Sequence, residues 1–194
     1  MLPGISWRGG PIDDAELLRD LPPELADILN ELNGFILHEG ALHFRGASQT
    51  PEWHSLRAAW KGPNALHLFY EELEPGDIPF AQDQLGDQFL LREGTVLQLS
   101  AETGGLEPFA ESLEEFLDGL SEDVEEFLNV GLDHALQPGQ LLLASPPFCF
   151  QESESGASLR PKPAGEVIRL HADLAKRIKD VPEGGEIDFK FADQ

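Results

Sequence analysis

The stretch that most constrains this chain is Ile78-Pro79-Phe80-Ala81-Gln82-Asp83-Gln84-Leu85-Gly86-Asp87-Gln88-Phe89-Leu90-Leu91-Arg92. Ile78 and Phe80 share a face at the period of a strand, and Phe89 and Leu91 repeat that pattern after a polar interval. The interval has turn chemistry, because aspartate side chains accept from nearby backbone N–H groups and Gly86 takes positive φ without a Cβ clash. Thr95 to Ser100 reads as a third strand. The expected product is an antiparallel meander with one wet face, in an α+β fold whose helices pack on one side of a mostly antiparallel sheet.

Helical signals flank this hairpin. Asp13 or Asp14 caps a short helix through Leu17 and Leu18. Leu21-Pro22-Pro23 opens the next, whose Leu25, Ile28, Leu29 and Leu32 fall on one stripe, and Gly34 stops it. Residues 1–12 read as an arm over the surface, Phe35-Ile36-Leu37 and residues 41–44 as short strands, and Trp53, Leu56 and Trp60 as the inner positions of a short helix. Ala65 to Tyr70 is expected to be a strand. From Phe109 to Leu128 the apolar residues keep the helical period, with Ser112 and Glu115 forming a capping box and Gly119-Leu120-Ser121 marking a break.

After Asn129 the composition changes. A helical turn is expected at Leu132 to Leu136, strands at residues 140–144 and 187–191, an extended edge segment at residues 146–151, and a helix within Val167 to Ile178. A chain of 194 residues can fold as a single domain that buries roughly two thirds of its unfolded surface. Residues 129–194 then form an extension of the core at residues 1–128, either completing the same sheet or standing as a small second lobe.

The formal net charge is −23. Residues 62–133 carry most of it, with 1 Lys/Arg against 18 Asp/Glu. Such a field repels nucleic acid and anionic membrane and attracts a basic partner, although acidic surface also serves plain solubility. Two groups of carboxylates are candidates for partner binding. Glu71, Glu72, Glu74 and Asp77 lie in the loop before the hairpin, and Glu111, Glu114, Glu115, Asp118, Glu122, Asp123, Glu125 and Glu126 lie on the outer face of the long helical region. Like-charge pairs four residues apart on that face cost about 1 kcal/mol together, too little to establish a binding face.

Three pieces resemble the SUKH superfamily: Leu21-Pro22-Pro23-Glu24-Leu25 running to Leu32-Asn33-Gly34, the stretch from Ile78 to Leu91, and Ser112-Leu113-Glu114-Glu115-Phe116-Leu117. Bacterial members are mostly immunity proteins against polymorphic toxins, and a fungal member regulates cell-wall synthesis. The resemblance implies a protein that binds and neutralises a cognate toxin domain. A nuclease with a basic cleft is the target that fits the charge. A non-catalytic scaffold recruiting cellular partners is the alternative.

Signals for chemistry are weak. Cys149 is the single cysteine, set between Phe148 and Phe150, and reads as buried and inert. The chain lacks nucleophile-elbow, Walker and dinucleotide glycine patterns. His38 and His43 could meet across a hairpin, but His38, His43, His54, His67, His134 and His171 make no metal-ligand spacing. Asp77, Asp83 and Asp87 read as turn caps rather than a calcium loop. The expectation is a protein without catalysis, cofactor or metal. With no apolar run of membrane-spanning length and no signal-peptide pattern at the N-terminus, it is expected in the cytoplasm.

Overall fold

The computed structural model describes residues 2–182, 184 and 185. Strands β1 (Ile5–Arg8), β2 (Phe35–Leu37), β3 (Leu42–Phe44), β4 (Ile78–Asp83), β5 (Gln88–Arg92), β6 (Thr95–Leu99) and β7 (Leu106–Ala110) form one antiparallel sheet whose spatial order follows the chain. The central hairpin pairs Ile78 with Leu91 and Gln82 with Gln88, and its register shifts between Pro79 and Ala81, where proline has no N–H for the ladder.

One face of the sheet carries the main core. Helices α1 (Ala15–Asp20), α2 (Pro23–Glu31), α3 (Leu56–Trp60), α4 (Leu113–Glu122) and α5 (Val124–Leu128) contribute Leu17, Leu25, Leu29, Leu56, Leu113, Leu120 and Leu128 to it. Phe116 sits at its centre, with ring centroids 5.0 to 5.9 Å from Phe80, Phe89, Phe109 and Phe127. The class is α+β, as the periodicities indicated.

The expected wet face is covered. Leu90 and Leu99 point away from Phe116 and meet Leu66, Tyr70 and Leu73, together with Ala172 and Ala175 of helix α6 (Ala164–Ile178). β4 is consequently buried along its whole length. Strands β8 (Gln140–Ser145) and β9 (Ser158–Pro163) pair with each other in a two-stranded sheet, and Leu141 and Leu143 pack with Ala164 and Val167 of α6. A backbone hydrogen bond of 2.8 Å from Leu142 N to Gln84 O ties this hairpin to the turn between β4 and β5.

Several local expectations change. The N-terminal arm is strand β1, and Ala65 to Tyr70 contains a 3-10 turn at Leu66–Leu68 that places Leu66 and Tyr70 in one core. Phe109 belongs to β7, so the helical pattern begins at Leu113, and the break falls at Asp123, whose side chain accepts from Glu126 N at 3.1 Å. Residues 131–139 hold no helix. Residues 146–151 turn rather than extend, with Phe150 N bonded to Pro147 O, and lead into a 3-10 turn at Gln151–Ser155. The strand expected at residues 187–191 lies outside the described residues.

Phe116 is fully buried among four rings, so Phe116→Ala removes a large volume that rigid neighbours cannot refill. Urea unfolding is expected to show a loss of about 3–5 kcal/mol with an unchanged m-value, and a loss under ~1 kcal/mol would contradict this packing.

Candidate functional site

The acidic exterior follows from the pattern of α4 and α5. Ser112 Oγ accepts from Glu115 N at 3.1 Å, and the Glu115 carboxylate accepts from Glu111 N at 2.6 Å, so the cap is closed from both sides. With Leu113, Phe116, Leu120, Val124 and Leu128 held in the core and Leu117 and Phe127 packed against it, the acidic positions are left facing solvent. Glu111, Glu114, Glu115, Asp118, Glu122, Asp123, Glu125 and Glu126 are all exposed. Among the described residues, no Lys or Arg lies within 4.0 Å of any of them.

The loop before β4 differs. Glu71, Glu72 and Glu74 are exposed, but Glu71 pairs with Lys179 and Glu74 lies 3.7 Å from Arg92. Asp77 is buried, pairs with Arg92 at 2.6 Å and accepts from Glu74 N at 2.7 Å. A carboxylate so placed holds the loop together and presents no free charge outward, a correction to its reading as a partner-binding residue. The two acidic groups are also rooted on opposite faces of the sheet, the helices in the Phe116 core and the loop through Tyr70 and Leu73 in the other.

A second feature went unseen in the sequence. A cavity of about 430 Å³ opens at the seam where the meander meets the C-terminal segment, lined by Asp87 and Glu102 on one side and by Leu142, Phe148, Cys149 and His171 on the other. Asp83 Oδ1 accepts from the N–H groups of Leu85, Gly86 and Asp87 at 2.8 to 3.0 Å, which closes the β4–β5 turn. Burial, and then the nearby Asp87, nonetheless hold its carboxyl well above the usual range. Burial also raises Asp87, whose Oδ1 accepts from Ala101 N at 2.8 Å, and Glu102, whose Oε2 accepts from Cys149 N at 2.9 Å.

Cys149 is exposed rather than buried, yet desolvation and the adjacent Glu102 carboxylate push its thiol up to about 12. That setting disfavours the thiolate, while the exposure of Cys149 corrects the expectation that it is buried. His171 is 2% exposed, and burial lowers its pKa to about 4. Its Nε2 lies 4.0 Å from Glu102 Oε1, and neither ring nitrogen has a hydrogen-bond partner.

His43 meets His54 rather than His38, with Nε2 to Nδ1 at 2.9 Å, while His54 Nε2 faces Asn33 O at 3.0 Å. The carbonyl can only accept, so His54 carries its proton on Nε2 and His43 Nε2 donates to it. The pair is a buried link between segments, and among the described residues no cluster of three or more His, Cys, Asp or Glu could hold a metal ion. Nor is any described helix long and apolar enough to cross a membrane.

A model of the SMI1 / KNR4 family (SUKH-1) matches residues 14–119. The chain belongs to that family. No curated protein and no solved structure matches it. The SUKH-1 match begins at the Asp14 cap of α1 and ends inside α4, so Phe148, Cys149 and His171 lie beyond it. Membership supports a toxin-immunity-like role at the level of the family, whose proteins are generally non-catalytic immunity or regulatory factors.

The His171 shift fixes the sign of one pH effect. The unfolded imidazole takes up its proton near 6.5 and the folded one only near 4, so between those values the unfolded chain binds more protons and acidification destabilises the fold. His171→Leu removes this contribution. The stability of the native chain relative to His171→Leu is expected to fall by about 2 kcal/mol between pH 7 and pH 5 in urea titrations, whereas a pH-independent difference would mean the imidazole protonates inside the fold.

Proposed function

We propose that this SUKH-1 protein is a cytoplasmic, non-catalytic immunity protein that binds and neutralises a cognate toxin domain with a basic surface, of which a nuclease cleft is the best fit. The whole chain, residues 1–194, acts as one unit in this reading. The observation that carries it is the set of eight exposed carboxylates from Glu111 to Glu126, six of them on α4 and α5 and two, Glu111 and Asp123, beside the helix starts, which no cation among the described residues pairs with. Burying such charges against basic groups of a partner gives electrostatic steering, register and a penalty for acidic competitors. The loop is the weaker candidate, because Glu71 and Glu74 already have cations nearby and Asp77 is spent on Arg92.

Co-expression with toxins encoded beside this gene tests the reading: rescue by one pairing supports it, whereas no rescue together with capture of several endogenous proteins favours a scaffold. For the rescued pair, reversing Glu114, Asp118, Glu122 and Glu125 to Lys is expected to slow association by about tenfold or more at low salt and to flatten its salt dependence. Reversing Glu71, Glu72 and Glu74 is expected to do less. Unchanged binding and salt slope in the helix variant would overturn the assignment of this face.

A further inference from the structure

We propose that a second cavity, between the central strands and the start of α6, binds a small organic acid through its carboxylate. This inference stands apart from the toxin reading, which concerns the exterior face of α4 and α5. The cavity holds about 260 Å³, just under the range of drug-sized ligands and enough for an acid with a single ring. Arg45 and Gln82 belong to the segment that matches SUKH-1, whereas Pro163 and Arg169 lie beyond it, so the two walls come from different parts of the chain.

The observation that points to a ligand is a pair of buried donors with no acceptor. Arg45 and Gln82 line the cavity and are each 2% exposed. Arg45 donates from Nη1 to Pro79 O and Ala81 O and from Nη2 to Gln82 Oε1 and Gln88 Oε1, but its Nε has no partner among the described residues. Gln82 Oε1 is the end held by Arg45 Nη2 and Gln88 Nε2, at 2.6 and 3.3 Å, which leaves the Gln82 Nε2 amino group without an acceptor. Neither nitrogen is sealed from solvent, so both can be reached from the cavity that their residues line. Buried donors are normally satisfied, and a carboxylate brings two oxygens that only accept.

Charge selects an anion over a neutral acceptor. In a chain with 36 Asp and Glu, no carboxylate among the described residues lies within 4.0 Å of Arg45, and burial alone accounts for its lowered pKa. Arg169 also lines the cavity, and among the described residues it has neither an ion pair nor a hydrogen bond. Its Nη2 hangs over the first turn of α6, 3.9 Å from where a Cβ on Gly165 would stand. No side chain caps that helix, although Ala164 N donates to Gly139 O at 2.8 Å. A guanidinium beside the positive end of a helix is unfavourable until an anion joins them. Glu52, the one carboxylate in the lining, is exposed, lies beyond 4.0 Å of both arginines and accepts from Asn64 Nδ2 at 3.5 Å. An acid of single negative charge fits the excess that remains, and its apolar body would meet Trp53, Leu66, Phe69 and Ile168.

The probe is phenylacetate, titrated at neutral pH into the full chain by calorimetry and by NMR of the side-chain amides. One phenylacetate is expected to bind per chain and to shift the Gln82 amide resonances. 2-Phenylethanol keeps the ring without the charge and is expected to bind at least about tenfold more weakly. Arg169 is exposed and has no partner to lose, so Arg169→Glu leaves the fold intact and is expected to weaken phenylacetate by at least about tenfold, whereas Arg19→Glu on the exterior changes it by no more than about twofold. Inorganic phosphate is the second arm: weaker binding than phenylacetate supports an organic acid, and tighter binding overturns that class in favour of an inorganic oxyanion. A net charge of −23 works against every anion, so affinity that persists reports local contacts. No binding, equal affinity for 2-phenylethanol, Gln82 resonances that stay still while heat is released, or unchanged affinity in Arg169→Glu would each overturn the proposal.

Discussion

The structure depends on one carboxylate oxygen. Asp83 Oδ1 gathers the backbone N–H groups of residues 85, 86 and 87 and so fixes the turn between the two central strands. That turn is also where the rest of the chain attaches. Gln84 N donates to Ala41 O, Gln84 Nε2 donates to Gly131 O, and Gln84 O accepts from Leu142 N. Gly86 has φ +96°, so a larger residue there would be strained in backbone, although an added Cβ would meet His171 Nδ1 only at an ordinary contact distance of 3.4 Å. A single turn therefore sets the hairpin register, docks the neighbouring strand and seats the C-terminal segment.

Covering both faces of the hairpin creates a polar problem that Arg45 resolves. Its guanidinium is 2% exposed and donates to Pro79 O, Ala81 O, Gln82 Oε1 and Gln88 Oε1. Pro79 and the register shift beside it interrupt the ladder, and two carbonyls of that irregular stretch find their donor in a side chain rather than a neighbouring strand. Burial lowers the Arg45 pKa to about 9, which still leaves the group charged at neutral pH. Satisfying four acceptors at once, it helps make a fully buried strand with a proline tolerable.

Local grammar made the hairpin, the α2 stripe, the Ser112 cap and the α6 helix legible, because each is set by residues within one or two turns of chain. The second core was partly legible too. The unbroken run Phe89-Leu90-Leu91 lacks the alternation of a half-solvated strand, and that was the available sign that both faces are buried. What could not be read was which segment covers the second face, since Leu90 and Ala175 come together from distant parts of the sequence. The seam cavity is hidden for the same reason. Asp87, Glu102, Cys149 and His171 form no motif, and two flanking phenylalanines made Cys149 look interior. The one usable hint was a histidine four residues from both Val167 and Ala175 on the apolar side of α6, where a polar ring requires an explanation.

A net charge treats all carboxylates alike, whereas the fold divides them into two populations. The groups on α4 and α5 remain hydrated, so their field reaches outward and is screened over about 10 Å at moderate ionic strength. Such charges govern encounter and partner choice more than the depth of binding. Asp83, Asp87 and Glu102 have lost much of their water, and their raised pKa values register that cost. Salt screening barely reaches them. The acidic middle third of the sequence is thus split between carboxylates hydrated on one surface and carboxylates dehydrated at one seam, and the turn at Asp83 is what keeps the second of these shaped.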